Sequence, residues 1–432
     1  MKKTNSKFYL ALIIFSLIGQ VAWVVENMYF NVFIYNMFNA SASQISYMVS
    51  ASAVAATVTT IFMGALSDRI GKRKFFICAG YILWGISIWS FALIRMDVIS
   101  AVFPAAASAA SIGVTLVIVM DCVMTFFGST ANDACFNAWL TDSADPKNRG
   151  AAEGINAMMP LLAILAVFGG FMGVDQGKAE SWTLIFGVIG TAVLIIGILG
   201  FFLIEEPKIA PRKENYFANL IYGFRPSVIR RHPVLYGVLG AYGVFGIAIN
   251  IFMPYLILYY TEGLGMTDYV LIFAPAIILA AVFTAIYGRI YDKNGFQKTV
   301  YPSLALLLAG FVVLYFCKST LPVFAGTLLM LCGYLSGMAV FGAMLRDRTP
   351  ENRAGMFQGQ RIVGQVLLPG IIGPAIGAAV LKNAETIVNT DGTTSFIPNE
   401  KIFLAAFAVT ALLCLLLLPL FSLLKKEKEY AQ

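Results

Sequence analysis

The sequence predicts an all-α polytopic membrane protein with twelve transmembrane helices in two pseudo-symmetric six-helix bundles. Three observations lead there: a composition poor in charge, a regular train of apolar stretches, and a repeat relating the two halves of the chain. Of the 432 residues, 59% are hydrophobic and 12% charged, with a mean hydropathy of +0.79. A water-soluble domain carries about 25% charged residues. A chain with half that charge cannot cover a water-facing surface, so most of its exterior faces lipid.

The charges cluster in short runs between apolar stretches of about 20 residues, the length a helix needs to cross a hydrocarbon core. These stretches lack the alternation of an outer-membrane barrel. Taken in order, they place helices near 8–36, 44–67, 75–94, 114–141, 151–173 and 182–204, then 234–260, 268–291, 299–317, 322–346, 355–381 and 400–424. The opening Met1-Lys2-Lys3 resembles a signal peptide, but no small-residue cleavage site follows and the apolar run continues past Trp23. It reads as a retained first helix. Residues 95–113, with Pro104 among many Ala and Ser, extend their neighbours or lie at the interface.

The organisation is 1–204 as an N-terminal bundle, 205–233 as a connector rich in Pro and charge, and 234–432 as a C-terminal bundle. With twelve spans both termini share a side. Arg95, Lys178, Lys318, Lys382 and Lys401 fall on the opposite side and Arg361 inside a span; every other Lys and Arg lies with the termini. Positive residues accumulate on the cytoplasmic side, so both termini are expected there, in a multi-pass plasma (bacterial cytoplasmic) membrane protein. The net charge of +7 is then a topology signal and calls for no nucleic acid.

The repeat is carried by two motifs. Gly64-Ala-Leu-Ser-Asp68-Arg69-Ile-Gly71 matches Gly288-Arg-Ile-Tyr-Asp292-Lys-Asn-Gly295, and Pro146-Lys-Asn148-Arg149 matches Pro350-Glu-Asn352-Arg353. The same two motifs in the same order make the halves related.

The Gly64–Lys74 loop, between the second and third helices with a degenerate copy between the eighth and ninth, resembles the cytoplasmic signature of the major facilitator superfamily. The resemblance implies the major facilitator fold, a monomer, and alternating access by rocking of the halves. It also implies that Gly64, Asp68, Arg69, Gly71, Arg149, Asp292 and Arg353 serve the gates, with Asp68 at the start of the third helix paired to an arginine, Arg149 being the best placed. Within the superfamily, Asp133 at 16 residues before Arg149, and Arg231-His232-Pro233, resemble the glycoside–pentoside–hexuronide cation symporters. The second helix here lacks the acidic residues with which those symporters often bind sodium.

Ionisable residues inside spans are the remaining signal, because each costs a few kcal/mol to insert. Glu26, Asp121, Asp133 and Arg361 stand out. Glu26, Asp121 and Asp133 are candidates to carry a coupling proton or cation. At about 100° per residue, Asp121 shares a stripe with Thr125, Gly128 and Asn132, while Asp133 lies about 120° away, so a straight helix cannot aim both acids at one spot. Asn27 and Asn31 share a face of the first helix, and Arg361 and Gln365 one of the eleventh. With Asn250 and Tyr255, these residues are the candidate substrate binders; amides and a guanidinium suit hydroxyls or a carboxylate. Asp133 and Arg361 lie at similar depth, which allows them to pair.

Six scattered cysteines form no paired spacing and His232 is the one histidine, so no metal site, cofactor or catalytic set is expected. The chain reads as a transporter rather than an enzyme, its partners a small-molecule substrate, a coupling ion and membrane lipid. The leading expectation is a cation- or proton-coupled symporter of a sugar or sugar acid. A proton-coupled exporter of lipophilic compounds and a non-transporting sensor are the alternatives.

Overall fold

The structure, a computed structural model, describes residues 6–104, 108–143, 149–206, 224–349, 358–389 and 393–431. Backbone hydrogen bonds that close within a single segment are what hydrocarbon requires, and the apolar stretches fold accordingly. The first six long helices are α1 (Ser6–Phe38), α2 (Ala42–Ile70), α3 (Lys74–Leu93), α4 (Ala109–Ser143), α5 (Arg149–Gly170) and α6 (Ala179–Leu203). The second six are α7 (Pro233–Gly263), α8 (Val270–Asn294), α9 (Phe296–Phe316), α10 (Thr320–Arg348), α11 (Gly359–Leu381) and α12 (Lys401–Ala431). Eleven are long and apolar enough to cross a membrane over their described residues, and α5 adds the shorter apolar stretch Ile155–Gly170. Residues 95–113 contain a short helix, Met96–Val102, before α4 begins. The strands among the described residues are β1 (Thr386–Val388) and β2 (Thr394–Phe396), a two-stranded ribbon.

Local chemistry sets the ends. Ser41 and Gln44 form a reciprocal cap at the start of α2, side chain to backbone in both directions. Gly71 ends the same helix with φ at 70°, a left-handed conformation that favours glycine.

The chain divides into two compact units, one holding α1–α6 and the other α7–α12. Of the described residues, Asn389 and Thr393–Ser395 pack with the first unit, although they follow α11 in the chain. Asn39, which ends α1 with φ at 51°, explains this. Its amide donates to Thr393 Oγ1 at 2.8 Å, and its carbonyl accepts from Asn389 and Ser395 at 3.0 Å each.

Each unit is packed through small residues on adjoining helices, as expected where lipid supplies no hydrophobic drive between helices. A Cβ added to Gly85 of α3 would lie 2.6 Å from the carbonyl oxygen of Gly190 in α6. In the second unit, Gly310 of α9 and Gly333 of α10 bring those two backbones equally close. Outward, large apolar side chains such as Phe202, Phe316 and Leu321 are exposed, the surface lipid covers. Gly85→Ala is therefore expected to destabilise the protein by about 1–3 kcal/mol through overpacking. Gly187→Ala on α6, whose added Cβ meets nothing nearer than 3.9 Å, should leave the melting temperature unchanged or raised. Thermal melts of the two variants in detergent compare them directly.

Candidate functional site

Three acidic residues gather in the first unit. Glu26 lies in a π-helical turn of α1, Val25–Tyr29, and Asp133 in a π-helical run of α4, Ser129–Phe136. Such turns shift the register of a helix and recur at functional positions. Glu26 is 7% exposed and Asp121 1%. Both Asp121 and Asp133 fall within electrostatic reach of Glu26. Asp121 stands in the regular part of α4 and Asp133 in its π-helical run, where Asp133 bonds Ser129.

Glu26 Oε1 accepts from Ser52 Oγ of α2 at 2.5 Å and from Thr125 Oγ1 of α4 at 2.9 Å, and the two hydroxyl oxygens are 2.8 Å apart. Glu26 Oε2 and Asp121 Oδ1 are buried without a hydrogen-bond partner among the described residues. Asp133 Oδ2 accepts from Ser129 Oγ at 2.9 Å. Sequence reasoning found the acids and Thr125 but missed Ser52 and Ser129. Hydroxyls occur throughout spans bonded to their own helix, as Thr57 is to Ala53, so nothing in the sequence marks the two that bond acids.

The amides divide by environment. Asn132 is held between Tyr81 and Trp23: its amide donates to the Tyr81 hydroxyl at 2.7 Å and its carbonyl accepts from Trp23 Nε1 at 3.3 Å. Asn27 is exposed and donates to the Trp23 carbonyl, while Asn31 is buried and donates to that of Asn27. In the second unit, Asn250 donates to the Gly246 carbonyl at 2.9 Å. Tyr255 is fully buried and donates to the Pro374 carbonyl at 3.3 Å. Gln365 is half-buried in a π-helical turn of α11, Val363–Leu367. Arg361, just before that turn, is half-buried, and its Nε is enclosed without a partner among the described residues. Within its unit, among the described residues, no carboxylate pairs with it. Tyr242 and a second guanidinium, Arg346, fall within its electrostatic reach. Tyr242 stacks on Phe341 at 5.6 Å and 13°, which gives the neighbourhood an aromatic wall.

The motif loop forms a separate ionic cluster. Asp68 stands in the last turn of α2, not at the start of the third helix as the sequence reading expected, because α2 runs on to Ile70 before Gly71 turns the chain. Its partner is Arg73, which also bonds Ser67 Oγ at 2.5 Å and Asp142 at 3.2 Å. Burial works against the Arg73 charge, yet Asp68 and Asp142 outweigh it and hold the guanidinium above its ordinary range. The carboxylate at the positive end of α3 is that of Glu206, which accepts from the backbone N–H of Arg73 at 2.5 Å and of Lys74 at 3.3 Å. Arg73, Asp142 and Glu206 were not singled out from sequence, since each sits in a run of charges that also reads as a topology signal. Gly64 accepts from Ser67 Oγ, and Arg69 and Asp292 are exposed. The side chain of Arg149 and all of Arg353 lie outside the described residues. Near Asp292, the Tyr291 hydroxyl donates to Asp347 at 2.9 Å. Arg73→Ala should lower transport turnover by at least about tenfold, roughly 1.4 kcal/mol in barrier, with less change in substrate affinity. Initial rates and binding measured on the same preparation check this.

A sequence model of the Major Facilitator Superfamily matches residues 9–359. No curated protein sequence matches the chain. Among solved structures it is similar to a D-xylose-proton symporter, at 14% identity and a TM-score of 0.73, over 95% of this chain and 96% of that one. It is similar to the nucleoside transporter NupG at 12% identity and a TM-score of 0.69, over 95% and 98%. A bacterial homologue of the human lysosomal transporter Spinster gives 16% and 0.66, over 96% of each chain. At these identities the likeness is one of fold.

Proposed function

Because the chain belongs to the Major Facilitator Superfamily, we propose that it is a proton-coupled secondary transporter of a small hydroxylated solute, a sugar or sugar acid, working by alternating access. Both termini are assigned to the cytoplasm, in the plasma membrane, on the distribution of Lys and Arg. The observation that carries the coupling is the oxygen triangle of Glu26, Ser52 and Thr125. Its three edges, 2.5, 2.8 and 2.9 Å, are hydrogen-bond lengths, and each needs one proton. The two hydroxyls supply two. With Glu26 ionised, both point at its Oε1 and leave the hydroxyl oxygens 2.8 Å apart with no proton between them. A proton on Glu26 Oε1 completes the ring: the carboxyl then donates to one hydroxyl, that hydroxyl donates to the other, and the second donates back to Oε1. The triangle thus suits a site that takes up and gives back one proton, with Asp121 beside it as the next acceptor.

Arg361 supports the hydroxylated and acidic side of the reading. A guanidinium in a span, with a free Nε, an amide one turn on at Gln365 and an aromatic wall at Tyr242, suits a carboxylate or paired hydroxyls on a compact ring. The xylose–proton symporter among the similar structures adds support of the weaker kind, by fold alone.

Glu26→Gln in proteoliposomes is expected to abolish uphill accumulation while keeping substrate exchange within about threefold of the parent, under 1 kcal/mol. Proton entry followed with an internal pH dye, against a panel of mono- and oligosaccharides and sugar acids, reads the coupling. Accumulation that survives the substitution removes Glu26 from it. Arg361→Gln should weaken substrate affinity by at least about tenfold, measured by ligand-induced thermal stabilisation.

A further inference from the structure

We infer that the first unit carries a lateral binding site for one zwitterionic phospholipid with an ethanolamine headgroup, seated between the ends of α1, α3 and α6 and gripped by Arg95, Asp97 and Glu180. These helix ends meet at the end of the bundle opposite Asp68, where a cavity of about 320 Å³ opens. That volume is in the range of pockets that hold small ligands. Its walls are Phe33 and Met37 of α1, Phe91 at the end of α3, and Trp182 of α6. They are apolar and aromatic, as a hydrocarbon chain requires, and the packing of Phe33 on Trp182 at 5.2 Å keeps that side of the wall in place.

The mouth is different. Arg95 and Asp97 line it, and Arg95 lies between two carboxylates: its Nε donates to Asp97 at 3.1 Å, and a second nitrogen is 3.7 Å from Glu180. The hydrogen bond from Arg95 holds the Asp97 carboxyl below its ordinary range, so the group is ionised at neutral pH. Two carboxylates and one guanidinium leave one net negative charge, with both signs presented at one rim. A purely anionic headgroup meets repulsion there. A headgroup with an ammonium and a phosphate finds a partner for each: the ammonium donates to Asp97 and Glu180, and the phosphate accepts from Arg95. The two carboxylates are well exposed, and so available to a ligand, whereas the Arg95 side chain is 29% exposed.

The surroundings place this mouth at a lipid surface. Leu93, Met96, Val102 and Phe103, in and around the short helix beside the cavity, are all exposed apolar side chains. A water-facing loop gains nothing from such a row, whereas an element lying in the headgroup–acyl boundary requires one. The combination of an apolar cavity, an ionic rim of both signs and an apolar apron fits a phospholipid entering from the side. None of these residues belongs to the acid cluster or to the motif loop, so the site stands apart from the transport reading.

Native mass spectrometry of the full chain, released from micelles with equimolar dioleoyl phosphatidylethanolamine, phosphatidylcholine and phosphatidylglycerol, tests this. One phosphatidylethanolamine should be retained about fivefold more than either competitor, the discrimination expected from one or two exposed charge pairs. Asp97→Asn with Glu180→Gln leaves Arg95 unopposed and should turn the preference towards phosphatidylglycerol. Arg95→Ala should weaken retention of all three. These residues are at the surface, and unchanged melting temperatures will show that the variants fold. Equal retention of the three lipids by the parent protein, or a preference untouched by the double substitution, overturns the assignment.

Discussion

Hydrocarbon offers no hydrogen bonds, and every other feature of this chain follows from that constraint. A polar atom inside a span must find a partner in the protein or remain costly. Most here find one at their own backbone. Thr130, Thr284, Thr327, Ser336 and Thr410 each donate to the carbonyl four residues earlier, and Asn250 does the same. These groups are spent on structure. The atoms left over within spans are therefore informative, and they include Glu26 Oε2, Asp121 Oδ1 and Arg361 Nε.

The π-helical turns are part of the same economy of partners. Glu26 and Asp133 lie in such turns, and Arg361 stands two residues before one. A π turn displaces one residue from the regular α pattern, re-aiming a side chain without breaking the helix.

This explains what could be read from the residues alone and what could not. The spans were legible because the length of an apolar run is dictated by bilayer thickness; α6, expected at 182–204, runs Ala179–Leu203. Glu26, Asp121 and Arg361 were legible because charge in a span is rare. Ser52 was not, since a hydroxyl that bonds an acid looks in sequence like one that bonds its own helix. The π-helical turns that hold Glu26 and Asp133 were not legible, because irregular turns leave no composition signature. Asp68 was placed one helix late because α2 runs past Leu66 through Ser67, Asp68 and Arg69 to Ile70, a polar stretch tied by Arg73 to Ser67 and Asp68.

That ion pair also bears on how Asp68 can serve a gate. Only its Oδ1 is engaged by Arg73, and its side chain is 23% exposed. Arg73 is the better buried partner, at 6%, and is fixed on further sides by Ser67 and Asp142 while Glu206 holds its backbone N–H. The cluster therefore joins the ends of α2, α4 and α6 around one guanidinium and turns the α2–α3 connection into a rigid corner. A carboxylate carried on such a corner, with one oxygen uncommitted, can gain and lose a further partner without the corner itself reorganising. Rigid-body exchange between two states requires contacts of that kind: strong within the moving part, and single and replaceable at its edge.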